Sequence, residues 1–311
     1  MAAGRSPLYS QLVQEVSGAG ALTHAEALQQ IGDRNGGNRA TPGPGYDASV
    51  DYVAGVLRDA GFDVSTPSFV LRQRRGGETV VRNVIAQTRT GSAEHVIMAG
   101  AHLDSVPEGP GINDNASGVA TLLEVATRMG SSPPIPNVVR FGFWGAEERN
   151  LNGSKAYVES LSDSRREAIG LYLNLDMVAS PNAGYFVQGG ADPPGSRSGP
   201  PGSATVGRVL VDELAANGIV ADLVKFDGES DYAAFVDADI PSGGVLAGDA
   251  NKKTPEQADR WGGRAGEVFD ACYHSACDRI ETLDRTALDK FSNAVAGTIA
   301  RFAESAEVPA R

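Results

Sequence analysis

Three apolar segments that each end in an imidazole or a carboxylate constrain the fold of this chain most strongly. They occupy residues 95–104, 137–148 and 171–178. Continuous apolar runs of this length are typical of the buried central strands of a parallel sheet. Helical patterns lie between them, at 117–129 and 154–161. This alternation predicts an α/β fold, a three-layer domain whose mixed, mostly parallel, twisted sheet is flanked by helices on both faces.

The other segments fit the same single domain, which we expect to span 1–311. Further helices are expected at 9–32, 47–61, 206–218 and 283–305, and further strands at 221–227 and 240–246. Segment 62–88 has the pattern of a hairpin at the edge of the sheet. Two segments are rich in helix breakers, a Gly/Pro-rich loop at 32–45 after the N-terminal helix and an inserted surface loop at 189–204.

Charge excludes several classes of function. Lys and Arg total 27 against 39 Asp and Glu, a formal net charge of −12. Such a surface repels phosphate backbones and anionic membranes, so nucleic acid is not expected as a partner. The longest apolar runs are far shorter than the roughly 20 residues of a transmembrane helix, so no membrane-spanning segment is expected.

Two cysteines, Cys272 and Cys277, lie in one short segment, where a local disulfide is easy to form in an oxidising compartment. Reduced thiols in the cytosol are the alternative. The N-terminal segment has no apolar core of a signal peptide, so such a peptide has been removed or the protein is cytosolic. We favour a secreted or periplasmic protein whose signal peptide has been removed.

Side chains that can bind metal gather where the predicted strands end. The candidates are His102, Asp104, Asp114, Glu147, Glu148, Asp176 and His274. Taken singly, the His102 and Asp104 pair could be a surface ion pair, and Asp114 could cap a helix. Two adjacent acids after an apolar strand are harder to explain without a partner. Because α/β folds bind ligands at the carboxyl ends of their strands, we expect these groups to lie together.

The mixture of imidazole nitrogens and carboxylate oxygens suits Zn²⁺, and less well Mn²⁺ or Co²⁺. One carboxylate can bridge two such ions that lie roughly 3.5–4 Å apart. The pattern therefore predicts a two-metal hydrolase.

Five segments of the chain resemble the secreted double-zinc aminopeptidases of the Streptomyces type, in metallopeptidase clan MH. They read AGAHLDSVPEGPGINDNASG, FWGAEERNLNGSKAY, LNLDMVASPNAGYF, SDYAAF and CYHSACD, in this order from Ala99 onwards. The N-terminal hundred residues match only in general pattern. The resemblance implies a zinc-exopeptidase fold, a monomer, and peptide substrates with a free N-terminus.

The resemblance also assigns metal ligands position by position. One zinc ion would be held by His102 and Asp176, and the other by Glu148 and His274. Asp114 would bridge the two ions. Co²⁺ or Mn²⁺ could substitute for zinc.

The catalytic roles follow from the same resemblance. Glu147 would be the general base, and the Tyr273 hydroxyl would stabilise the developing oxyanion. Asp104 would contact the imidazole of His102 on the side away from the metal and orient it. The peptide bond between Asp114 and Asn115 would be cis.

Two positions depart from the resemblance. Glu229 stands where those enzymes carry an arginine that is thought to hold the carboxylate of the amino-acid product. Met177, Gly228 and Leu246 would line the side-chain pocket, with Leu246 replacing a phenylalanine, so we expect a roomy apolar pocket that favours Leu, Met or Phe. A plain core role remains open for the pocket residues. For Glu229, two interpretations remain: it weakens product inhibition and accepts basic side chains, or it is a solvated surface charge of little effect.

Three alternatives to an aminopeptidase remain. They are a single-zinc glutaminyl cyclase of related fold, a non-catalytic peptidase-like binding module, and a carboxypeptidase of a related dizinc clan. The complete ligand set argues against the first two. A structural calcium ion is not expected, because Arg285 occupies a position where an acid would be needed, although Asp289 remains.

Overall fold

The strands of the protein form one large sheet and one separate hairpin. The computed structural model describes residues 6–72, 76–189 and 199–306. In this part of the chain the strands are β1 Asp63–Ser65, β2 Ser68–Arg72, β3 Glu78–Arg82, β4 Val84–Gln87, β5 Ser92–His102, β6 Asn137–Trp144, β7 Ile169–Leu175, β8 Phe186–Gln188, β9 Asp222–Val224 and β10 Ser242–Leu246. Eight of these described strands form the large sheet, in the order β1-β4-β6-β5-β7-β10-β8-β9.

Helices cover both faces of this sheet. Those in the described segments are α1 Pro7–Glu15, α2 Gly18–Arg34, α3 Pro44–Asp59, α4 Ser117–Met129, α5 Asn152–Ser160, α6 Asp163–Glu167, α7 Ser203–Ala216, α8 Tyr232–Val236, α9 Pro255–Trp261 and α10 Arg285–Glu304. Helices α4, α7 and α10 contribute to the hydrophobic core on one face, and α5 and α8 to the core on the other. The predicted three-layer α/β fold is therefore confirmed.

The four central strands β6, β5, β7 and β10 are parallel to one another. Their side chains alternate between two hydrophobic cores, as successive residues of a strand must. In β5, Ile97 and Ala99 belong to the larger core under α4 and α10, whereas Val96 and Met98 belong to the smaller core under α8. Burial on both faces explains why the sequence of these strands is continuously apolar.

The N-terminal region differs from the single helix expected at 9–32. Two helices form instead, α1 and α2, because the chain is extended at Val16 and Ser17. The hydroxyl of Ser17 accepts a hydrogen bond from the amide of Gly20 and so caps α2. Both helices pack against α10 or α4. The helical periodicity was correct, but it concealed a break at a capping residue.

The hairpin expected within 62–88 covers only part of that segment in the structure. β2 and β3 pair only with each other, whereas β1 and β4 form the antiparallel edge of the large sheet. Asn83 separates β3 from β4, and its side chain bonds to the backbone of Gly145 and Gly153. The chain therefore leaves the hairpin and enters the sheet at this residue.

Two further expectations concern loops and membranes. Most of the predicted surface loop at 189–204 lies outside the described residues. Within the described ranges, no helix has both the length and the apolar character that crossing a membrane requires.

Candidate metal centre

The ends of the parallel strands bring the candidate ligands to one edge of the sheet. His102 is the last residue of β5, and Asp176 follows β7 by one residue. β5 and β6 are in register with His102 opposite Trp144, so Glu147 and Glu148 leave the sheet beside His102. The strand register thus places groups that are far apart in sequence at one site, as expected from the sequence.

Asp114 lies between the two histidines at this edge. Nε2 of His102 is 3.1 Å from Oδ1 of Asp114 and 3.3 Å from Oδ1 of Asp176. Nε2 of His274 is 3.1 Å from Oδ2 of Asp114 and 3.2 Å from Oε2 of Glu148. Each imidazole therefore shares Asp114 and has one further carboxylate of its own.

These distances fit a zinc-binding site. Ligand atoms around a tetrahedral zinc ion, at about 2.0–2.1 Å from the metal, lie about 3.3 Å from one another. His102, Asp114 and Glu148 each offer a ligand atom within 4.8 Å of the other two. The second oxygen of Glu148, Oε1, is buried and has no hydrogen-bond partner in the described structure. A buried carboxylate oxygen without a partner is costly, and a metal ion would satisfy it.

The surrounding acids raise the pKa of both histidines. Burial alone would lower the pKa of His102, but the carboxylates of Glu147 and Asp176 raise that pKa well above its usual value. Hydrogen bonding to Asp114 raises the pKa of His274 to about 10. Both rings therefore lie in a strongly negative environment, which favours cations.

The remaining acids are difficult to accommodate without a cation. Burial raises the pKa of both Glu147 and Glu148 above the usual glutamate range. Burial also raises the pKa of Asp231 to about 7, and this residue is almost fully enclosed. A surplus of buried negative charge is the setting in which a divalent ion is most strongly bound.

Asp104 contacts both His102 and the backbone of Glu147. Its backbone oxygen is 3.1 Å from Nδ1 of His102, whereas its carboxylate Oδ1 is 3.7 Å from the same atom. That carboxylate oxygen accepts a hydrogen bond of 3.1 Å from the backbone amide of Glu147. Asp104 therefore orients His102 mainly through its carbonyl group, and its side chain fixes the backbone that carries Glu147 and Glu148.

A short hydrogen-bonded series supports Asp176 from the smaller core. The Ser230 hydroxyl donates to Oδ2 of Asp176 at 2.6 Å, and Asn174 donates to Ser230 at 2.9 Å. Tyr172 in turn donates to the amide oxygen of Asn174 at 3.0 Å. Ser230 and Asn174 were not identified from the sequence as site residues, since neither a Ser in a loop nor an Asn within an apolar strand has a distinctive pattern.

Three residues that flank the site have a left-handed backbone. They are Ala146 (φ 58°), Met177 (φ 51°) and His274 (φ 54°). Non-glycine residues seldom adopt this conformation, and it is enriched at functional sites. The peptide bond between Asp114 and Asn115 is cis, as the resemblance implied.

Tyr273 and His274 lie in a loop closed by the expected disulfide, which joins Cys272 to Cys277. The tyrosine ring stacks on the imidazole, with 3.8 Å between the ring centroids. Burial, reinforced by Asp114, raises the pKa of Tyr273, so its hydroxyl remains protonated and able to donate a hydrogen bond. The tyrosine is thereby held against a candidate ligand.

The ligands form the floor of an open cleft of about 410 Å³. Met177, Gly228, Glu229 and Tyr273 line this cleft, as the sequence suggested. Leu246, the last residue of β10, is not among its lining residues within the described structure.

Three lining residues were not anticipated from the sequence. They are Asn150, Leu151 and Lys155, which follow the two adjacent glutamates on the way into α5. The helical pattern at 154–161 gave no sign that the residues before and at the start of the helix face the cleft. Their place directly after the glutamates was the available signal.

Calcium was not expected near Arg285, and the structure gives Asp289 a different role. Oδ1 of Asp289 accepts a hydrogen bond of 2.8 Å from the amide of Gly18, at the start of α2. The carboxylate therefore joins α10 to the first turn of α2.

The parallel sheet with imidazoles and carboxylates at its carboxyl edge defines a metal-dependent hydrolase fold of the zinc-exopeptidase class. The chain belongs to peptidase family M28, whose sequence model matches residues 83–299. This family membership confirms the resemblance noted from the sequence.

Two curated relatives illustrate the similarity. The probable lipoprotein aminopeptidase LpqL of Mycobacterium tuberculosis is 48% identical over 85% of this chain and 54% of its own length. The leupeptin-inactivating enzyme 1 of Streptomyces exfoliatus is 42% identical over 94% of this chain and 63% of its own length. The chain thus spans less than two thirds of either relative.

Solved structures share the fold at low sequence identity. A zinc aminopeptidase from Bacillus subtilis superposes with a TM-score of 0.76 at 18% identity, covering 94% of this chain and 97% of that one. A glutaminyl cyclase from Porphyromonas gingivalis reaches a TM-score of 0.69 at 20% identity, covering 96% and 98%. Both activities occur on this fold, so the fold alone does not choose between them.

Proposed function

We propose that the chain is a zinc-dependent aminopeptidase that uses two metal ions. The observation that carries the proposal is the sharing of Asp114 between His102 and His274, each of which has a further carboxylate of its own. A cyclase that uses a single zinc ion would need only one of these two histidine–carboxylate pairs. The name of LpqL, a probable lipoprotein aminopeptidase, supports the same choice.

The residues present would hold two ions. One would be bound by His102 and Asp176, the other by His274 and Glu148, with Asp114 shared between them. When bound, zinc supplies Lewis acidity and makes water acidic enough to lose a proton near neutral pH. Zinc suits this mixture of nitrogen and oxygen ligands, and Co²⁺ or Mn²⁺ would be its substitutes.

The chain's own residues would carry the proton transfers. Glu147 lines the cleft beside the ligands, and it would accept a proton from the attacking water and return it to the leaving amine. Tyr273 would donate a hydrogen bond to the oxygen that becomes negative when the peptide carbonyl is attacked. The surrounding carboxylates would attract the free α-amine of a substrate, which accounts for release of N-terminal residues.

The side-chain preference is proposed from the walls of the cleft. Met177 and Gly228 leave an apolar and open wall, which suits Leu, Met or Phe at the substrate N-terminus. Leu246 stays a prediction, because it would reach the substrate only if the cleft extends towards the end of β10.

The disulfide bears on where the protein works. The bond between Cys272 and Cys277 closes the loop that carries His274. Such bonds persist in oxidising compartments, so we propose a periplasmic or extracellular location.

Hydrolysis of leucine p-nitroanilide before and after chelation tests the activity. We expect release of p-nitroaniline that stops on chelation and returns with zinc, together with about two zinc ions per chain, as a dinuclear site requires. An acetylated leucine peptide should not be cleaved. No release, with one ion per chain and cyclisation of an N-terminal glutamine, would establish the cyclase instead. Cleavage of the acetylated peptide from its C-terminus would indicate the carboxypeptidase.

Replacing Glu229 with Arg is expected to change side-chain preference. Glu229 is exposed and lines the cleft, so its charge lies within reach of a bound substrate. Exposed charges interact with about 1 kcal/mol or less, which corresponds to about a fivefold change in rate ratio. We expect Glu229→Arg to lower the ratio of Lys to Leu p-nitroanilide hydrolysis by about this factor and to strengthen inhibition by free leucine.

Glu159→Arg is the matched control for this variant. Glu159 is an exposed acid of α5 that does not line the cleft, so the same change of charge there should leave both measurements as in the parent. Equal ratios for Glu229→Arg and Glu159→Arg would show that Glu229 is only a solvated surface charge.

A further inference from the structure

Asn113 connects the shared ligand Asp114 to the loop that carries His274. It is fully buried, and two carboxylates on either side of that loop accept its hydrogen bonds. Oδ1 of Asp278 accepts from the Asn113 backbone amide at 2.6 Å, and Oδ2 accepts from the Asp114 amide at 3.0 Å. One carboxylate therefore holds two consecutive amides of the turn, including that of the shared ligand.

Asp270 holds the other end of the loop to the same residue. Its Oδ2 accepts a hydrogen bond of 2.6 Å from the side-chain amide of Asn113, and its Oδ1 accepts one of 2.7 Å from the Cys272 amide. Asp270 and Asp278 thus flank the disulfide loop and converge on Asn113. We call these three residues the Asn113 clamp.

The clamp is not explained by ordinary packing. Asp270 and Asp278 are 2% and 1% exposed, and neither lines the cleft. Burying a carboxylate is costly unless amides or cations satisfy it, and burial raises the pKa of Asp278 to about 7. The oxygens of both buried carboxylates face amide groups of Asn113, Asp114 and Cys272.

The turn itself has a separate attachment to the sheet. Nδ2 of Asn115 donates to the Leu175 carbonyl oxygen at 2.8 Å, and Oδ1 of Asn113 accepts from the Ala179 amide at 3.0 Å. These bonds join the turn to the end of β7 and the segment beyond it. Loss of either carboxylate would therefore remove side-chain hydrogen bonds between the loop and the turn, whereas the bonds of Asn113 and Asn115 would keep the turn on the sheet.

The backbone that carries His102 and the backbone that carries His274 are therefore held in different ways. His102 ends a strand that is paired on both sides, with β6 and β7. His274 lies in a loop, with 40% of its side chain exposed. The position of His274 relative to Asp114 depends on how that loop is attached.

We propose that Asp270 and Asp278 are positioning residues that, by bonding to the turn at Asn113 and Asp114, hold His274 at its distance from Asp114. They thereby set the affinity of the ion bound on the His274 side, while the strands set that of the ion on the His102 side. This inference rests on the proposed two-ion function and extends it to unequal retention of the two ions.

Asp278→Asn tests the inference with little change of shape. The amide group of the new side chain would face one of the two backbone amides, so at least one hydrogen bond is lost. Partners of metal ligands typically contribute about 10–100-fold to metal affinity. We expect the dissociation constant of one zinc ion to rise by about this factor and that of the other to stay within about twofold, measured by titration against a competing chelating dye.

Two ligand variants identify which ion is affected. In a His274→Ala background only the His102 side can retain zinc, so Asp278→Asn should add less than about a twofold change. In a His102→Ala background the remaining ion depends on His274, and the same change should again weaken binding by about 10–100-fold. A merely structural role would weaken the ion equally in both backgrounds.

Controls separate metal positioning from loss of folding. Glu124→Gln removes a buried carboxylate of α4 that pairs with Arg128, far along the helix from the clamp, and should leave both zinc affinities unchanged. The melting temperature of the metal-free chains shows whether each variant folds. If Asp278→Asn does not fold, Asp270→Asn provides the same test with the other carboxylate.

The outcomes distinguish this inference from the proposed function. A parent chain that binds two zinc ions and hydrolyses leucine p-nitroanilide, with variants that retain both ions or weaken both equally, would overturn the clamp alone. A parent chain that binds fewer than two ions would overturn the two-ion function and the clamp together.

Discussion

Glu147→Gln is expected to lower kcat for leucine p-nitroanilide by about 10²–10⁴, the usual contribution of a general base, while zinc content stays at the parent value. Glu147 lines the cleft, yet the grouped metal-ligand atoms belong to His102, Asp114 and Glu148. An amide has nearly the shape of a carboxylate but cannot accept the proton of the attacking water. KM should therefore change much less than kcat.

Glu148→Gln is the matched comparison for this experiment. The two glutamates are adjacent, but Oε2 of Glu148 is 3.2 Å from Nε2 of His274. Its replacement should release zinc, measured as metal per chain after gel filtration. Loss of zinc from Glu147→Gln with full retention by Glu148→Gln would reverse the two assignments.

The parts of the fold that the sequence predicted well are those with strong periodicity. The helix expected at 117–129 is α4, with the same limits, because its apolar stripe faces the sheet and Gly130 ends it. The three apolar runs are the central strands β5, β6 and β7. Their continuous hydrophobicity is a direct consequence of burial on both faces, so it can be seen without the structure.

The parts that the sequence did not predict depend on single polar contacts. Ser17 begins a new helix inside a region of unbroken helical periodicity. Asn83 ends one strand and starts another because its side chain bonds to Gly145 and Gly153, more than sixty positions away. The contacts of Asn83 are tertiary and leave no local pattern, whereas the cap at Ser17 is local but does not interrupt the helical periodicity.

The residues of the candidate site also divide into those that the sequence indicated and those that it did not. His102, Glu148 and Asp176 stand out in the sequence because a charged or imidazole side chain at the end of an apolar run is uncommon. Asn113 and Asp278 had no such signal, since their partners are backbone amides and a carboxylate that is distant in sequence. Candidate metal ligands were visible in the sequence, whereas the residues that bond to the turn at Asn113 and Asp114 required the fold.

Asp114→Ala is expected to cause the largest loss of metal. Oδ1 and Oδ2 of Asp114 each lie 3.1 Å from Nε2 of a different histidine, His102 and His274. Its removal would take one ligand from each proposed ion and remove the negative charge between two dications, which repel each other strongly at short distance. Zinc content should fall to one ion per chain or fewer. The rate of hydrolysis should fall by more than about 100-fold, which is the largest effect typical of losing a residue that only bonds to a ligand.

Glu148→Ala provides the reference for this loss, because it removes a carboxylate from the His274 half alone. It should weaken one ion and leave the other at the parent affinity in the same competition titration. A bridging role for Asp114 requires the two variants to differ, with Asp114→Ala affecting both binding steps. Equal zinc content and equal affinities for the two variants would contradict the bridge and would assign Asp114 to a single ion.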